Sequence, residues 1–258
     1  MRFNVLLVLL LSSWGLYGQY GETIRSGRPG QAIGAFTVGK NVLQVQSGIT
    51  FGWLEFEESG SEINSINPSV VIRFGIAERI EISGVVGYSS LEEKFSSEVD
   101  KYGGISAAQI GVRFNLRDGQ GSGPNIGIQS RLRLNVLSDD FNQENLGNTT
   151  ILSVTQGLGP KFGLATNLGV TWIGNGSNPL GTYVLNFGYD VSAKVSVFVE
   201  NYGVMNNSDI NTRFDTGLGY LVNPNLKLDF SVGYGNNQDL EDYFFDIGFS
   251  WRTLAKPR

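Results

Sequence analysis

The sequence predicts an all-β fold, a transmembrane antiparallel β-barrel of about twelve strands. Apolar and polar residues alternate with the two-residue period of a strand in twelve segments. The connections between these segments are alternately short and longer, and both chain ends fall on the short side. Aromatic residues gather at the ends of the apolar faces, where a membrane barrel carries its interfacial girdles.

The start of the chain has the composition of a secretory signal peptide. Arg2 supplies a positive amino-terminal region, residues 5–11 form a short apolar core, and Gly18 precedes a plausible cleavage point. We therefore expect residues 1–18 to be a signal peptide that is removed on export.

The next segment, residues 19–40, shows no strand alternation. It could lie in the periplasm as a lead or fold into the lumen as a plug, and we favour partial occlusion because small barrels can be obstructed in this way. The barrel itself is predicted over residues 41–252, and a tail follows at 253–258.

Residues 41–53 illustrate the alternation of the first strand. Val45, Ile49 and Phe51 fall on one face, and Gln44 and Gln46 fall on the other. The remaining predicted strands are residues 68–76, 80–88, 106–116, 126–136, 150–158, 162–172, 181–189, 194–202, 213–221, 226–235 and 243–252. Most have the length of about 9–11 residues that a tilted strand needs to cross a membrane.

The aromatic residues indicate which face meets lipid. At strand ends on the apolar face lie Trp53, Tyr88, Trp172, Tyr183, Tyr189, Tyr220, Tyr234, Tyr243 and Trp251. A soluble sandwich has no reason to place aromatic residues at both rims of its inward face, so we predict that the apolar face points outward to lipid. An exported β-sandwich or solenoid is the alternative, because it shares the two-residue period.

The composition excludes several classes of function. The chain has no histidine, which excludes Ser-His-Asp triads and His-ligated zinc, and no cysteine, which excludes disulfides. A net charge of −5 argues against nucleic acid as a partner. A carboxylate pair such as Asp139 and Asp140 could still serve a hydrolase, but neighbouring loop residues are loosely placed. We expect no enzyme activity.

No cofactor or metal is expected either. The loop at 138–145 has oxygen ligands at Asp140, Asn142 and Glu144, but it lacks the glycine and the distant glutamate of a calcium loop. We therefore expect it to be a solvated loop.

Isolated charges occur at mid-strand on the polar face and give the candidate lumen-lining residues. This set is Arg73, Glu81, Arg113, Arg131, Arg133, Glu200, Asp215, Asp229 and Asp246. Across a twelve-stranded lumen, the arginines of strands two, four and five would face the carboxylates of strands nine to twelve. The two walls would either set the selectivity of an open pore or pair and close it. Arg73 and Glu81 are expected to form an ion pair directly opposite each other on one hairpin.

Four segments resemble a known family of bacterial outer-membrane proteins, the meta-pathway phenol-degradation family of transporter-like barrels. They are RPGQAIGAFTVGKNVLQVQSG (28–48), VIRFGIAERIEI (71–82), VFVENYG (197–203) and FDTGLGYLVNPNLKLDFSVGYG (214–235). Arg73, Glu81, Asp215 and Asp229 match the family's pattern, whereas Gln46 stands where a glutamate is common.

The resemblance implies a porin-like channel or transporter in the bacterial outer membrane, for passive passage of small solutes that include hydrophobic or aromatic compounds. Its partners would be outer-membrane lipid and a small-molecule solute. A structural or adhesive outer-membrane barrel with no open pore is the alternative.

Overall fold

A computed structural model shows a closed antiparallel barrel of twelve strands, which confirms the predicted fold class. It describes residues 21–56, 59–96, 98–119, 123–175, 178–206, 209–237 and 240–254. The expected signal peptide and the last four residues of the expected tail lie outside these ranges.

Each strand pairs with its neighbours along the chain, and the first strand pairs with the last to close the barrel. The strands are β1 (Leu43–Phe56), β2 (Ser61–Ala77), β3 (Ile80–Phe95), β4 (Glu98–Arg117), β5 (Asn125–Arg133), β6 (Gly147–Gly157), β7 (Phe162–Trp172), β8 (Leu180–Asp190), β9 (Val195–Asn206), β10 (Asp209–Asn223), β11 (Leu226–Asn237) and β12 (Leu240–Arg252). The connection after β5 contains a 3₁₀ turn at Asp139–Phe141. Over the described ranges, no helix is long and apolar enough to cross a membrane.

The barrel buries its polar residues and exposes its apolar ones, the reverse of a soluble protein. Val86 is 56% exposed and Ile110 54% exposed on the outer face, whereas Gln44, Asn115 and Gln129 are almost fully buried on the inner face. A lipid solvent outside and a polar interior explain this pattern. The predicted outward orientation of the apolar face is therefore correct.

Aromatic side chains mark both rims of the outer face. Trp53, Trp172 and Tyr243 are exposed at the rim on the side of the long β5–β6 connection, which we call the loop side. Tyr220 and Trp251 are exposed at the opposite rim, near both chain ends, which we call the turn side. These are the two girdles expected of a membrane barrel.

The strand ends differ from the sequence prediction on the loop side. Residues 89–95 and 98–104, predicted to lie in a loop, instead extend the β3–β4 hairpin, and β2 begins at Ser61 rather than at residue 68. These stretches extend past the apolar band and are rich in serine and glutamate, so their alternation carries little hydrophobic signal. β5 is shorter than predicted and ends at Arg133. The chain then bends over the loop-side half of β4, where the Leu134 amide donates to the Ala108 carbonyl.

Residues 21–42, which we call the inner segment, run inside the barrel. Near the turn side, the Ile24 amide donates to the Pro224 carbonyl between β10 and β11. The segment then follows the inner wall, where Ala35, Val38 and Val42 are buried, and it enters β1. Apolar burial in this protein is therefore concentrated in the lumen rather than in a core between layers.

Candidate functional site

The strand register places all nine predicted lumen residues on the inward face. They are Arg73, Glu81, Arg113, Arg131, Arg133, Glu200, Asp215, Asp229 and Asp246. The arginines lie on β2, β4 and β5. The carboxylates of the other wall lie on β9 to β12, one on each strand. The chain thus brings charges of opposite sign to different sides of one lumen.

Arg73 and Glu81 form a bidentate ion pair, with Nε to Oε1 at 2.7 Å and Nη2 to Oε2 at 2.8 Å. The expectation that they lie directly opposite each other is wrong. Arg73 is paired with Ser83 and Glu81 with Gly75, because the turn at Glu78 and Arg79 and the bulge beside Ala77 centre the hairpin on residue 78 rather than on residue 77. The two side chains therefore meet along the diagonal, which is within reach of a long arginine.

The same cluster receives the backbone of the inner segment. Arg73 Nη2 and Arg113 Nη1 donate to the Phe36 carbonyl at 3.2 and 3.1 Å, and the Val38 amide donates to Glu81 Oε2 at 3.0 Å. Glu81 also lies directly opposite Arg113 on β4. The Glu81 carboxylate thus pairs with Arg73, accepts one amide of the inner segment and faces Arg113.

Arg28 connects the inner segment to the opposite wall. Its guanidinium pairs with Asp229 at 3.0 Å and also with Asp246. Gly48 and Gly248 lie beneath it, and a Cβ at either position would overlap the guanidinium. These glycines explain how a large side chain fits against the wall here.

Glu200 holds the next part of the inner segment. It accepts the Gln31 and Ala32 amides at 2.6 and 3.0 Å, and Asn186 Nδ2 at 2.9 Å. Asp215 lies directly opposite Glu200 in the β9–β10 ladder. Within the described part of the chain, neither Asp215 oxygen has a hydrogen-bond donor.

Two buried asparagines complete the path of the segment, and the sequence analysis missed them. Asn167 accepts the Ile33 amide at 2.7 Å and donates to the Ile33 carbonyl at 2.8 Å. Asn115 donates to the Ala35 carbonyl at 3.0 Å. Both are polar residues at inward mid-strand positions, so their alternation placed them in the lumen, but their uncharged side chains gave no reason to single them out.

The carboxylates of the acidic wall therefore do not pair across the lumen with the arginines of β5. Asp229, Asp246 and Glu200 are engaged by the inner segment instead. The Nε atoms of Arg131 and Arg133 are buried and have no hydrogen-bond partner among the residues that the structure describes.

Two cavities lie in the lumen on either side of Arg28. The cavity toward the turn side has a volume of about 450 Å³ and is lined by residues that include Arg73, Lys161 and Phe198. The cavity toward the loop side has a volume of about 380 Å³ and is lined by residues that include Tyr202 and Arg213. Arg28 borders both, so the inner segment stands between them.

Solved structures of outer-membrane barrels have the same fold. The COG4313 outer membrane channel from Pseudomonas putida F1 superposes with a TM-score of 0.66 at 8% identity, covering 83% of this chain and 96% of that chain. The beta domain of the Bordetella autotransporter BrkA gives 0.59 at 12% identity, covering 83% and 100%. The CymD monoaromatic hydrocarbon channel gives 0.50 at 9% identity, covering 84% and 90%.

These identities establish the fold alone, since channels and an autotransporter domain share it. None of the curated proteins matches the sequence. A family model described as "Putative MetA-pathway of phenol degradation" matches residues 26–253, which span the inner segment and the whole barrel. The chain therefore belongs to this family of outer-membrane β-barrel proteins, as the four sequence segments indicated.

Proposed function

We propose that the protein is a porin-like channel of the bacterial outer membrane through which small solutes pass without an energy source. The observation that carries this proposal is the pair of lumen cavities separated by the Arg28–Ala32 stretch of the inner segment. Side chains alone can fill a barrel of about eight strands, whereas twelve strands enclose a wider interior.

The solutes that fit this site are small, and they include hydrophobic or aromatic compounds. Inward-facing Phe198 borders one cavity and inward-facing Phe244 the other, so each chamber offers an aromatic surface beside charged groups. A structural neighbour, CymD, is described as a monoaromatic hydrocarbon channel, which supports the same class.

The inner segment acts as the constriction of this channel. Six strands hold the segment through hydrogen bonds to its backbone or through ion pairs with its Arg28. These strands are β2, β4, β7, β9, β11 and β12. A segment held by hydrogen bonds and ion pairs, and not by pairing with a strand, can shift locally without unfolding the barrel. The nine candidate lumen-lining residues would then set selectivity on both sides of it.

The remaining assignments follow from this function. Residues 1–18 direct export, the lipid of the outer membrane surrounds the apolar face, and the protein carries no catalytic residues. Solute passage, not turnover, is the activity to measure.

A liposome-swelling assay tests the proposal. Liposomes containing the refolded protein are diluted into isotonic solutions of solutes of increasing size, and light scattering follows their swelling. Swelling should be fast for the smallest solutes and fall steeply with size. Liposomes without protein, and liposomes with protein denatured by boiling, are the controls. Swelling no faster than in these controls for every solute would contradict a channel and favour the structural or adhesive barrel.

A further inference from the structure

Two arginines on the inner face of β5 form a basic surface on the loop side of the inner segment. Arg131 lies opposite Gly111 and Thr149, and Arg133 lies opposite Gln109 and Gly147. Residues two apart on one strand face point the same way at a spacing of about 7 Å. The inner segment crosses the β5–β6 wall nearer the turn side, where Ala35 contacts Gly127. Arg131 and Arg133 therefore stay outside its contacts.

The neighbouring positions add hydrogen-bond donors beside the two arginines. A Cβ at Gly111 would meet the Arg131 side chain and the Ser83 hydroxyl, so the Arg131 side chain packs against the glycine beside Ser83. The Thr149 and Thr171 hydroxyls, which bond to each other at 3.1 Å, adjoin Arg131 on its other side. Hydroxyl groups and guanidinium groups together can surround a small anion.

The hydrogen-bonding capacity of both arginines is incomplete. The Nε atoms of Arg131 and Arg133 are buried and find no acceptor within the described ranges. A buried donor left without a partner is costly, so each such group in a folded protein calls for an explanation. The Nε–H and Nη–H groups of an arginine form a fork that fits the two oxygens of a carboxylate.

The local charge is also unbalanced. Arg113 and Arg73 lie on the same wall as the two β5 arginines, and Glu81 is the carboxylate that pairs with Arg73. Three of the four carboxylates of the opposite wall, those of Glu200, Asp229 and Asp246, are held by the inner segment. Positive charge confined in a narrow lumen favours an anionic solute.

Apolar side chains adjoin this surface. Val85 lies opposite Gln109, Val71 lies opposite Val85, and Ile151 lies on the same inner face of β6 as Thr149. A solute that fits here therefore has a charged end for the arginines and an apolar body for these side chains.

We propose that Arg131 and Arg133 form a binding site for the carboxylate of a small organic acid with an apolar or aromatic body. The site deepens the proposed channel function by naming a class of solute, and it rests on that function for its biological role. Binding itself does not depend on passage, so the two can be tested apart.

Isothermal titration calorimetry of the refolded protein in detergent micelles tests the site with benzoate as the probe. Benzamide, which has the same shape without the charge, is the matched ligand, and empty micelles correct for partitioning. Wild-type protein should bind benzoate and discriminate against benzamide. The double variant Arg131→Gln/Arg133→Gln should bind benzoate at least about tenfold more weakly, since charge-assisted hydrogen bonds are lost. Arg131→Lys/Arg133→Lys keeps the charge but loses the fork, and its affinity should be intermediate.

The matched control is Lys94→Gln/Lys101→Gln, which removes two positive charges from the exposed outer ends of β3 and β4. It should bind benzoate as the wild type does, and the heat-dependent gel migration of folded barrels should verify that every variant is folded. Absence of benzoate binding to the wild type would overturn the site. Equal affinity for benzoate and benzamide, or an equal loss in both double variants, would overturn it as well. A negative swelling assay with intact benzoate binding would instead reject the channel and leave the site standing.

Discussion

The guanidinium of Arg28, near the start of the chain, forms an ion pair with the carboxylate of Asp246 in the last strand. Arg28 also reaches Asp229, so one side chain ties the inner segment to both β11 and β12. The segment leaves Arg28, crosses to Glu200 and returns to Glu81 before it enters β1. Six of the nine lumen charges that the sequence offered as selectivity residues are thus also attachment points of the segment: Arg73, Glu81, Arg113, Glu200, Asp229 and Asp246.

Replacing Arg28 should loosen the inner segment. Arg28→Gln leaves Asp229 and Asp246 without their cation, and loss of one partner of such a pair costs about 2–5 kcal/mol. Because the chain has no cysteine, a single Ile33→Cys substitution, at a half-buried position of the segment, reports its exposure to a charged thiol reagent. Labelling should be at least about tenfold faster with Arg28→Gln than without it.

Lys40→Gln is the control for this measurement, since it removes one positive charge from an exposed position of the same segment. Its labelling rate should equal that of the parent. Equal rates in all three proteins would mean that Arg28 does not hold the segment.

A methyl group at Gly127 should displace the segment from the β5–β6 wall. The added Cβ would lie 2.7 Å from the Ala35 carbonyl oxygen and 3.0 Å from its Cα, which are backbone atoms that cannot rotate away. Gly127→Ala should therefore cost about 1–3 kcal/mol in thermal or denaturant unfolding. At Gly188 no atom lies within 4 Å of an added Cβ, so Gly188→Ala should be neutral. If the two substitutions behave alike, the close approach of Ala35 is wrong.

Neutralising Glu81 should destabilise the barrel. Arg73 is 3% exposed and Glu81 is 1% exposed, and Glu81→Gln leaves the buried Arg73 without its carboxylate. Breaking a buried pair in this way costs about 3–5 kcal/mol. The free energy of unfolding in guanidinium chloride measures the loss, with Glu144→Gln in the exposed β5–β6 connection as the control. A loss no larger than that of the control would contradict the role of Glu81.

A charge on the lipid face should cost more than the same charge in the lumen. Phe230 is exposed on β11 between Leu218 and Ile247, and Phe230→Arg should cost about 2–4 kcal/mol in a lipid bilayer. Thr171→Arg places the arginine on the inner face and should be mild. Gln129 is unsuitable as an inner control because it is buried and accepts hydrogen bonds from Arg113. A similar cost for both substitutions would contradict the assignment of the apolar face of the strands to lipid.

The alternation of residues predicted the parts of the fold in which one face meets lipid. Ile110 and Arg113 are assigned to the correct faces because apolar and polar residues differ strongly there. Outside the apolar band this contrast disappears, so the extension of β3 to Phe95 could not be recognised. The diagonal placement of Arg73 and Glu81 follows from the predicted strand ends, because residue 76 opposite residue 80 already sets Arg73 opposite Ser83, as in the structure.

The inner segment was predictable only in part. Its lack of alternation set it apart from the strands, but the partners of its backbone are side chains more than a hundred residues away, as with Ile33 and Asn167. Such contacts depend on how closure of the barrel brings β7 and β9 to the segment. Sequence spacing carries no information on that closure.

Single-channel conductance in a planar bilayer tests the central claim, that the barrel is a channel narrowed by its inner segment. The wild type should show a small conductance, and the double variant Arg28→Gln/Gly127→Ala should show a larger one in a barrel that remains folded. Lys40→Gln/Gly188→Ala, the matched pair, should conduct like the wild type. No current through any of the three proteins, or the same current through all of them, would contradict the claim.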